Sequence, residues 1–150
     1  MTHFTPITMA KAIGDGLLAF PVTHFDAALR FDEAAYLKHL AWTIDHTPSS
    51  VFAACGTGEF FSLTLDEVET ITRVTAESVN GRMPVLSGVS YGVAMAIDLA
   101  QRAERAGADG ILLLPPYLVN ASQEGLAAHV EAVCKTTSLG VIVYNRDNAI

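Results

Sequence analysis

Two hydrophobic rhythms alternate along this chain. Short unbroken apolar runs are followed by longer stretches in which apolar residues return at three- and four-residue spacing. The first run, Leu17-Leu18-Ala19-Phe20-Pro21-Val22, has strand length, and Pro21 sits late enough to end it. Past a turn through Asp26, Leu37, Leu40, Ala41 and Ile44 line one face of a helix predicted over 31–45, with Asp32 and Glu33 at its positive end. Pro48-Ser49-Ser50 interrupts, and the run 51–55 predicts a second strand. Thr64 and Glu67 then form a capping box, and Val68, Ile71, Thr75 and Val79 mark the buried face of a helix that stops at Asn80-Gly81. A strand over 83–89, an Ala-rich helix over 93–106 ending at Gly107, and a strand over 110–116 follow. Ser122 is the predicted N-cap of a further helix with Leu126, Val130 and Val133 facing inward, and 140–144 is a fifth strand. Residues 1–15, with a short helical patch at 9–13, read as a leader packed over one end of the strands.

Strand and helix thus alternate, with strand ends near Val22, Cys55, Val89, Pro116 and Tyr144. Right-handed crossovers make such strands parallel and bring their C-terminal ends to one rim, where function should lie. Two α/β architectures satisfy the pattern. One is an open, doubly wound, flavodoxin-like sheet that would be complete at 150 residues and could hold a small anion without chemistry. The other is about the first five βα units of a (β/α)8 TIM barrel, which typically needs about 250 residues.

Composition narrows the partners rather than the fold. Hydrophobic residues make up 51% of the chain, as suits strands buried on both faces beneath helices. A net charge of −7, with only nine scattered Lys and Arg, excludes a nucleic-acid surface. The most apolar run, 111–119, is too short to span a bilayer and is broken by Pro115-Pro116, so no membrane segment is expected. Cys55 and Cys134 lie far apart without CxxC spacing and the start has no secretory pattern, so a reducing cytoplasm is the expected location.

On the predicted rim, Gly56-Thr57-Gly58 falls between a strand and a helix start. Two residues without Cβ let backbone N–H groups face outward, and Thr57 adds a hydroxyl, which makes an anion site or else a bare βα turn. The other strand ends bring Thr23, His24 and Asp26; Ser87, Ser90 and Tyr91; Pro116-Tyr117; and Tyr144-Asn145-Arg146. Hydroxyls, phenols and one Arg suit a small oxygen-rich anion. No HxxxH pair or Asp-rich loop supplies metal ligands, and the five histidines read as ordinary surface or core residues, so neither metal nor cofactor is expected. A dinucleotide site would need a third small residue at position 61, which is Phe61. Glu59 reads as structural, bonding backbone at the start of the next element.

Taken together, Gly56-Thr57-Gly58-Glu59-Phe60-Phe61-Ser62-Leu63, Pro116-Tyr117, Ser122-Gln123-Glu124-Gly125 and Tyr144-Asn145-Arg146-Asp147-Asn148 resemble the dihydrodipicolinate synthase/N-acetylneuraminate lyase family, and in particular its 5-dehydro-4-deoxyglucarate dehydratase branch. The resemblance implies a TIM barrel in which a lysine at the end of strand six forms a Schiff base with a 2-keto acid. Gly56, Thr57 and Gly58 would hold the carboxylate beside the keto carbon, and Tyr144 would shuttle protons. Arg146 is a candidate grip on the far carboxylate of a 2-keto sugar diacid, through two hydrogen bonds; an exposed loop arginine, or one paired with a neighbouring subunit, is the alternative. The family implies a homo-oligomer, tetramer or dimer, and an aldolase or synthase acting on another 2-keto acid is the second reading within it.

Several positions depart from the family pattern. Gly56 stands where synthases have the first of two threonines, and Leu118 where they have a second tyrosine, which favours a dehydratase. Cys55 replaces a glycine and would narrow the pocket, or give a reactive thiol if the turn amides lower its pKa. Lys11, Lys38 and Lys135 lie in the leader and on helices, none at a strand end. The Schiff-base lysine is therefore expected roughly 25 to 30 residues beyond Ile150, about one βα unit further on, and residues 1–150 are expected to be the N-terminal part of a single TIM-barrel domain.

Overall fold

Five parallel strands lie in the order β1-β2-β3-β4-β5 in the computed structural model, which describes residues 4–116 and 120–145. The elements are α1 (Pro6–Ile13), β1 (Leu18–Ala19), α2 (Glu33–Asp45), β2 (Ser50–Ala53), a 3-10 turn (Phe60–Ser62), α3 (Leu65–Val79), β3 (Val85–Val89), α4 (Val93–Arg105), β4 (Gly110–Leu113), α5 (Gln123–Cys134) and β5 (Gly140–Val143). Each crossover advances one strand in the same direction, and α2, α3, α4 and α5 pack each against the next. A flavodoxin-like sheet must reverse its strand order at a switch point and carry helices on both faces. This sheet has no reversal, so the doubly wound alternative falls. The chain forms about the first five βα units of a (β/α)8 barrel.

Local chemistry sets the helix ends. The Asp32 carboxylate accepts the Ala35 amide at 3.0 Å, which makes Asp32 the N-cap and starts α2 at Glu33, two residues later than the apolar pattern suggests. The Thr64/Glu67 capping box forms as expected: each side chain accepts the other's backbone amide, at 3.2 and 2.9 Å. Asn80 takes φ 48° and ends α3. Between helices, the buried Tyr36 hydroxyl shares a 2.8 Å hydrogen bond with Thr75, and burial pushes its pKa up to about 12.

Register assigns the two faces of the sheet. Ala53, Ser87, Ile111 and Val141 form one row, and Phe52, Leu86, Gly110 and Gly140 the next. Ser87 meets Thr72 of α3 at 2.8 Å, so the first row faces the helices. On the concave face Phe52 stacks on Phe20, with ring centroids 4.5 Å apart. Gly110 and Gly140 leave room there for the leader: a Cβ at either position would lie 2.4 Å from Met9. Buried Asp109 ties the leader down, accepting the Phe4 amide on one carboxylate oxygen and the Val85 amide on the other, both at 3.0 Å. The leader helix thus closes the N-terminal end of the arc and leaves the opposite rim open. Among the described residues no helix is long and apolar enough to cross a membrane.

Candidate functional site

The turn after β2 keeps its expected position, but its twist falls on other residues. Ala54 and Glu59 take φ 47° and 62°, while neither Gly56 nor Gly58 has positive φ. The glycines matter for space. A Cβ on buried Gly58 would lie 3.2 Å from both Ala54 Cα and the Pro21 carbonyl oxygen, whereas a Cβ on exposed Gly56 would meet nothing within 4 Å. Three hydrogen bonds fix the loop: Glu59 N–H to Gly56 O at 3.2 Å, Phe60 N–H to Cys55 O at 3.2 Å, and the Thr23 hydroxyl to Gly58 O at 2.6 Å. Among the described residues nothing accepts from the amides of Thr57 and Gly58. Thr57 is exposed and Gly58 buried, so the Thr57 amide and hydroxyl are the accessible donors, of the kind a small anion requires.

Two supports of this turn escape the sequence reading. Thr23 anchors Gly58 across from β1. Gly88 in β3 is the second: a Cβ there would sit 2.3 Å from the Ala54 carbonyl oxygen and 3.0 Å from the Phe60 ring. A glycine inside an apolar strand is the one signal that pointed to such an approach. Phe60 is fully buried, and the half-exposed Phe61 and partly buried Tyr91 rings pack around it, with Phe60–Tyr91 centroids 5.3 Å apart.

Two expectations are corrected. Cys55 is buried, and burial pushes its thiol well above the ordinary range, so it is an inert packing group rather than a reactive thiol. Glu59 bonds no backbone through its side chain among the described residues; its Oε2 accepts the Ser62 hydroxyl at 3.1 Å. It borders an open cavity of about 490 Å³ shared with Thr57, Ser62, Thr23, Val22, Phe25 and Leu29. The far wall of that cavity is built by the loop after β1, where Asp26 accepts the Arg30 amide, the Arg30 guanidinium and the Ala28 amide, which in that order hold its carboxyl below the usual range.

Tyr144 lies on the same rim but away from the turn. Its amide donates to Leu113 O at 2.9 Å as β5 ends, and its side chain is 41% exposed. Three strand spacings separate β2 from β5, about 14 Å along the sheet. Gly56, Thr57 and Gly58 therefore form one cluster, and Tyr144 stands apart from them at the end of β5 on the same rim. Between them the Ser90 hydroxyl donates to Pro115 O at 3.1 Å. Tyr117 and Arg146 lie outside the described residues. Lys11 sits in α1, Lys38 in α2, and Lys135 follows α5 paired with Glu131, all off the rim.

A parallel arc with strictly sequential strands, plugged at its N-terminal end and carrying hydroxyl and amide donors on the opposite rim, defines a (β/α)8-barrel protein, a fold whose active sites lie at the strands' carboxyl ends. The chain belongs to the dihydrodipicolinate synthetase family, whose model matches residues 14–149. It is 57% identical over all 150 residues to a probable 5-dehydro-4-deoxyglucarate dehydratase of Bradyrhizobium sp. (strain ORS 278), and 57% identical over the same length to one of Ralstonia nicotianae. The chain spans about half of these relatives, 48% of their length. Among solved structures it is similar to a dihydrodipicolinate synthase of Agrobacterium tumefaciens (TM-score 0.87, 32% identity, 94% of this chain and 48% of that one). It is also similar to the Acinetobacter baumannii dihydrodipicolinate synthase complexed with pyruvate (TM-score 0.83, 30% identity, 87% of this chain and 45% of that one).

Proposed function

We propose that this chain is the N-terminal part of a single-domain Schiff-base lyase that converts 5-dehydro-4-deoxyglucarate to 2,5-dioxopentanoate, water and carbon dioxide. The observation that carries the reading is the Gly56-Thr57-Gly58 turn, with the exposed Thr57 hydroxyl and amides that no described residue accepts from, in a chain 57% identical along its whole length to relatives named probable 5-dehydro-4-deoxyglucarate dehydratases. A dihydrodipicolinate synthase of the same fold is complexed with pyruvate, which supports a 2-keto acid as the ligand of the turn.

In this reading Thr57 donates its hydroxyl, and Thr57 and Gly58 their amides, to the carboxylate next to the ketone. The ketone faces a lysine from the part of the barrel that follows Ile150. Amine and ketone condense with loss of water to a protonated imine, an electron sink for the adjacent CH₂. Tyr144, on the same rim, moves the protons: one leaves that CH₂ to give the enamine, and one joins the β-hydroxyl as it departs as water. Decarboxylation and hydrolysis of the imine release the product and free the lysine. Arg146 takes the far carboxylate. The enzyme works as a homo-oligomer in the cytoplasm, without metal or cofactor.

The test is made on the full-length protein. Incubation with 5-dehydro-4-deoxyglucarate and borohydride should fix a lysine adduct visible by mass spectrometry, and the unreduced reaction should release one carbon dioxide per substrate. No adduct in active enzyme would overturn the mechanism. An adduct without carbon dioxide release would point instead to an aldolase or synthase acting on another 2-keto acid.

A further inference from the structure

Glu59 stands out on the wall of the cavity beside the turn. Its neighbours there are the hydroxyl-bearing Thr57 and Ser62 and, from the loop after β1, Thr23, whose hydroxyl is spent on Gly58 O, with apolar Val22, Phe25 and Leu29. A carboxylate next to an anion site repels a dianionic ligand unless that ligand offers it hydrogen-bond donors. No described cation pairs with Glu59, and its side chain supports no backbone; its one partner among the described residues is the Ser62 hydroxyl on Oε2, at 3.1 Å. No hydrogen bond among the described residues engages the other oxygen, Oε1, and Glu59 itself is exposed on the cavity wall.

The residue is also held in place. Its backbone takes the left-handed region at φ 62°, costly for a residue with a side chain, and is locked on both sides: its amide donates to Gly56 O at 3.2 Å, and its carbonyl accepts the Ser62 amide at 2.8 Å. Donors and acceptors are thereby divided along one short path. Thr57 and the turn amides supply donors suited to a carboxylate, and Glu59 supplies acceptors suited to hydroxyls. Resting on the dehydratase reading above, we infer that Glu59 is a specificity-determining residue that accepts hydrogen bonds from the hydroxyl groups of a sugar acid, with Ser62 fixing the orientation of its carboxylate. Ligands lacking those hydroxyls meet only its charge.

Glu59→Gln in the full-length protein separates this role from a structural one, because glutamine keeps the length and an oxygen for Ser62. The KM for 5-dehydro-4-deoxyglucarate should rise about tenfold, the size of a lost hydrogen bond to a charged acceptor. The inhibition constant of 2-oxoadipate, the same diacid skeleton without hydroxyls, should stay constant or fall, since a negative charge has gone. A parallel rise in KM and in the 2-oxoadipate constant, or no change in either, would overturn the assignment. An unchanged borohydride adduct in the variant shows that the rest of the site is intact. Absence of that adduct in the wild-type protein would instead overturn the dehydratase reading, and this inference with it.

Discussion

The two glycines of the turn differ in what surrounds the missing side chain. Gly58 has backbone on two sides, with Ala54 Cα and Pro21 O each 3.2 Å from where a Cβ would stand, and backbone cannot swing away as a side-chain tip can. Gly58→Ala should therefore destabilise the protein by about 1–3 kcal/mol, as overpacking does, and lower the urea midpoint. Gly56 has nothing within 4 Å. Gly56→Ala should leave that midpoint in place, within about 0.5 kcal/mol, while a methyl group in the space proposed for the substrate carboxylate should lower kcat/KM roughly tenfold. Equal losses of stability in the two variants would contradict this division. The Gly-Thr-Gly string announced a turn and an anion site, and the turn lies where the string placed it. It could not announce that Ala54 and Glu59 would carry the positive φ. That outcome depends on Thr23 pulling the Gly58 carbonyl from another strand and on Gly88 making room for the Ala54 carbonyl. Cys55 was misjudged for the same reason: the turn amides are local in sequence, but the burial that controls the thiol is not.

At the scale of elements, the signals that came through were those written within a few residues. Thr64 and Glu67 cap each other, and Ser122 caps α5 by accepting the Gly125 amide at 3.1 Å, because caps are contacts between near neighbours in sequence. Contacts that join one element to the next were illegible. Glu104 is one: in the last turn of α4, it accepts the Ser138 hydroxyl and, at 3.0 Å, the Thr137 hydroxyl from the segment leading into β5. A carboxylate at that end of a helix faces an unfavourable dipole, yet the Ser138 hydroxyl first, then that of Thr137, holds its pKa below the ordinary 4.5, against the opposing effect of burial. A folded-state pKa below the unfolded one stabilises the fold above pH 4.5, and that contribution is lost as pH falls through the folded value. Glu104→Gln should thus cost about 1 kcal/mol at pH 7. Its penalty should shrink toward zero in urea titrations repeated at pH 3, and a constant penalty at both pH values would refute the coupling.

Across the whole molecule, the alternation of strands and helices foretold parallel strands but left two architectures open, since a repeat in sequence says nothing about the direction in which the next strand is laid. The contact that reports that direction most clearly joins the two ends of the described chain. Met9 of the leader lies on the concave face against Gly140 of β5, and a Cβ at Gly140 would come 2.4 Å from Met9 Cε and 3.1 Å from Met9 Sδ. The next nearest atom, Pro6 Cα, is at an ordinary 3.4 Å, so the methionine is the only hard obstacle. Gly140→Ala should cost about 1–3 kcal/mol by overpacking, and Met9→Ala about 2–5 kcal/mol by opening a cavity in the plug. Combined, the new methyl group enters the space the methionine leaves, so the double variant should be more stable than the sum of the two losses predicts. A coupling of about 1 kcal/mol or more in a double-mutant cycle on the full-length protein, read from urea midpoints, is the expected result. Strict additivity would mean that the leader does not close this end of the barrel, and that the open rim bearing Thr57 and Tyr144 is not set apart by a plug at the other end.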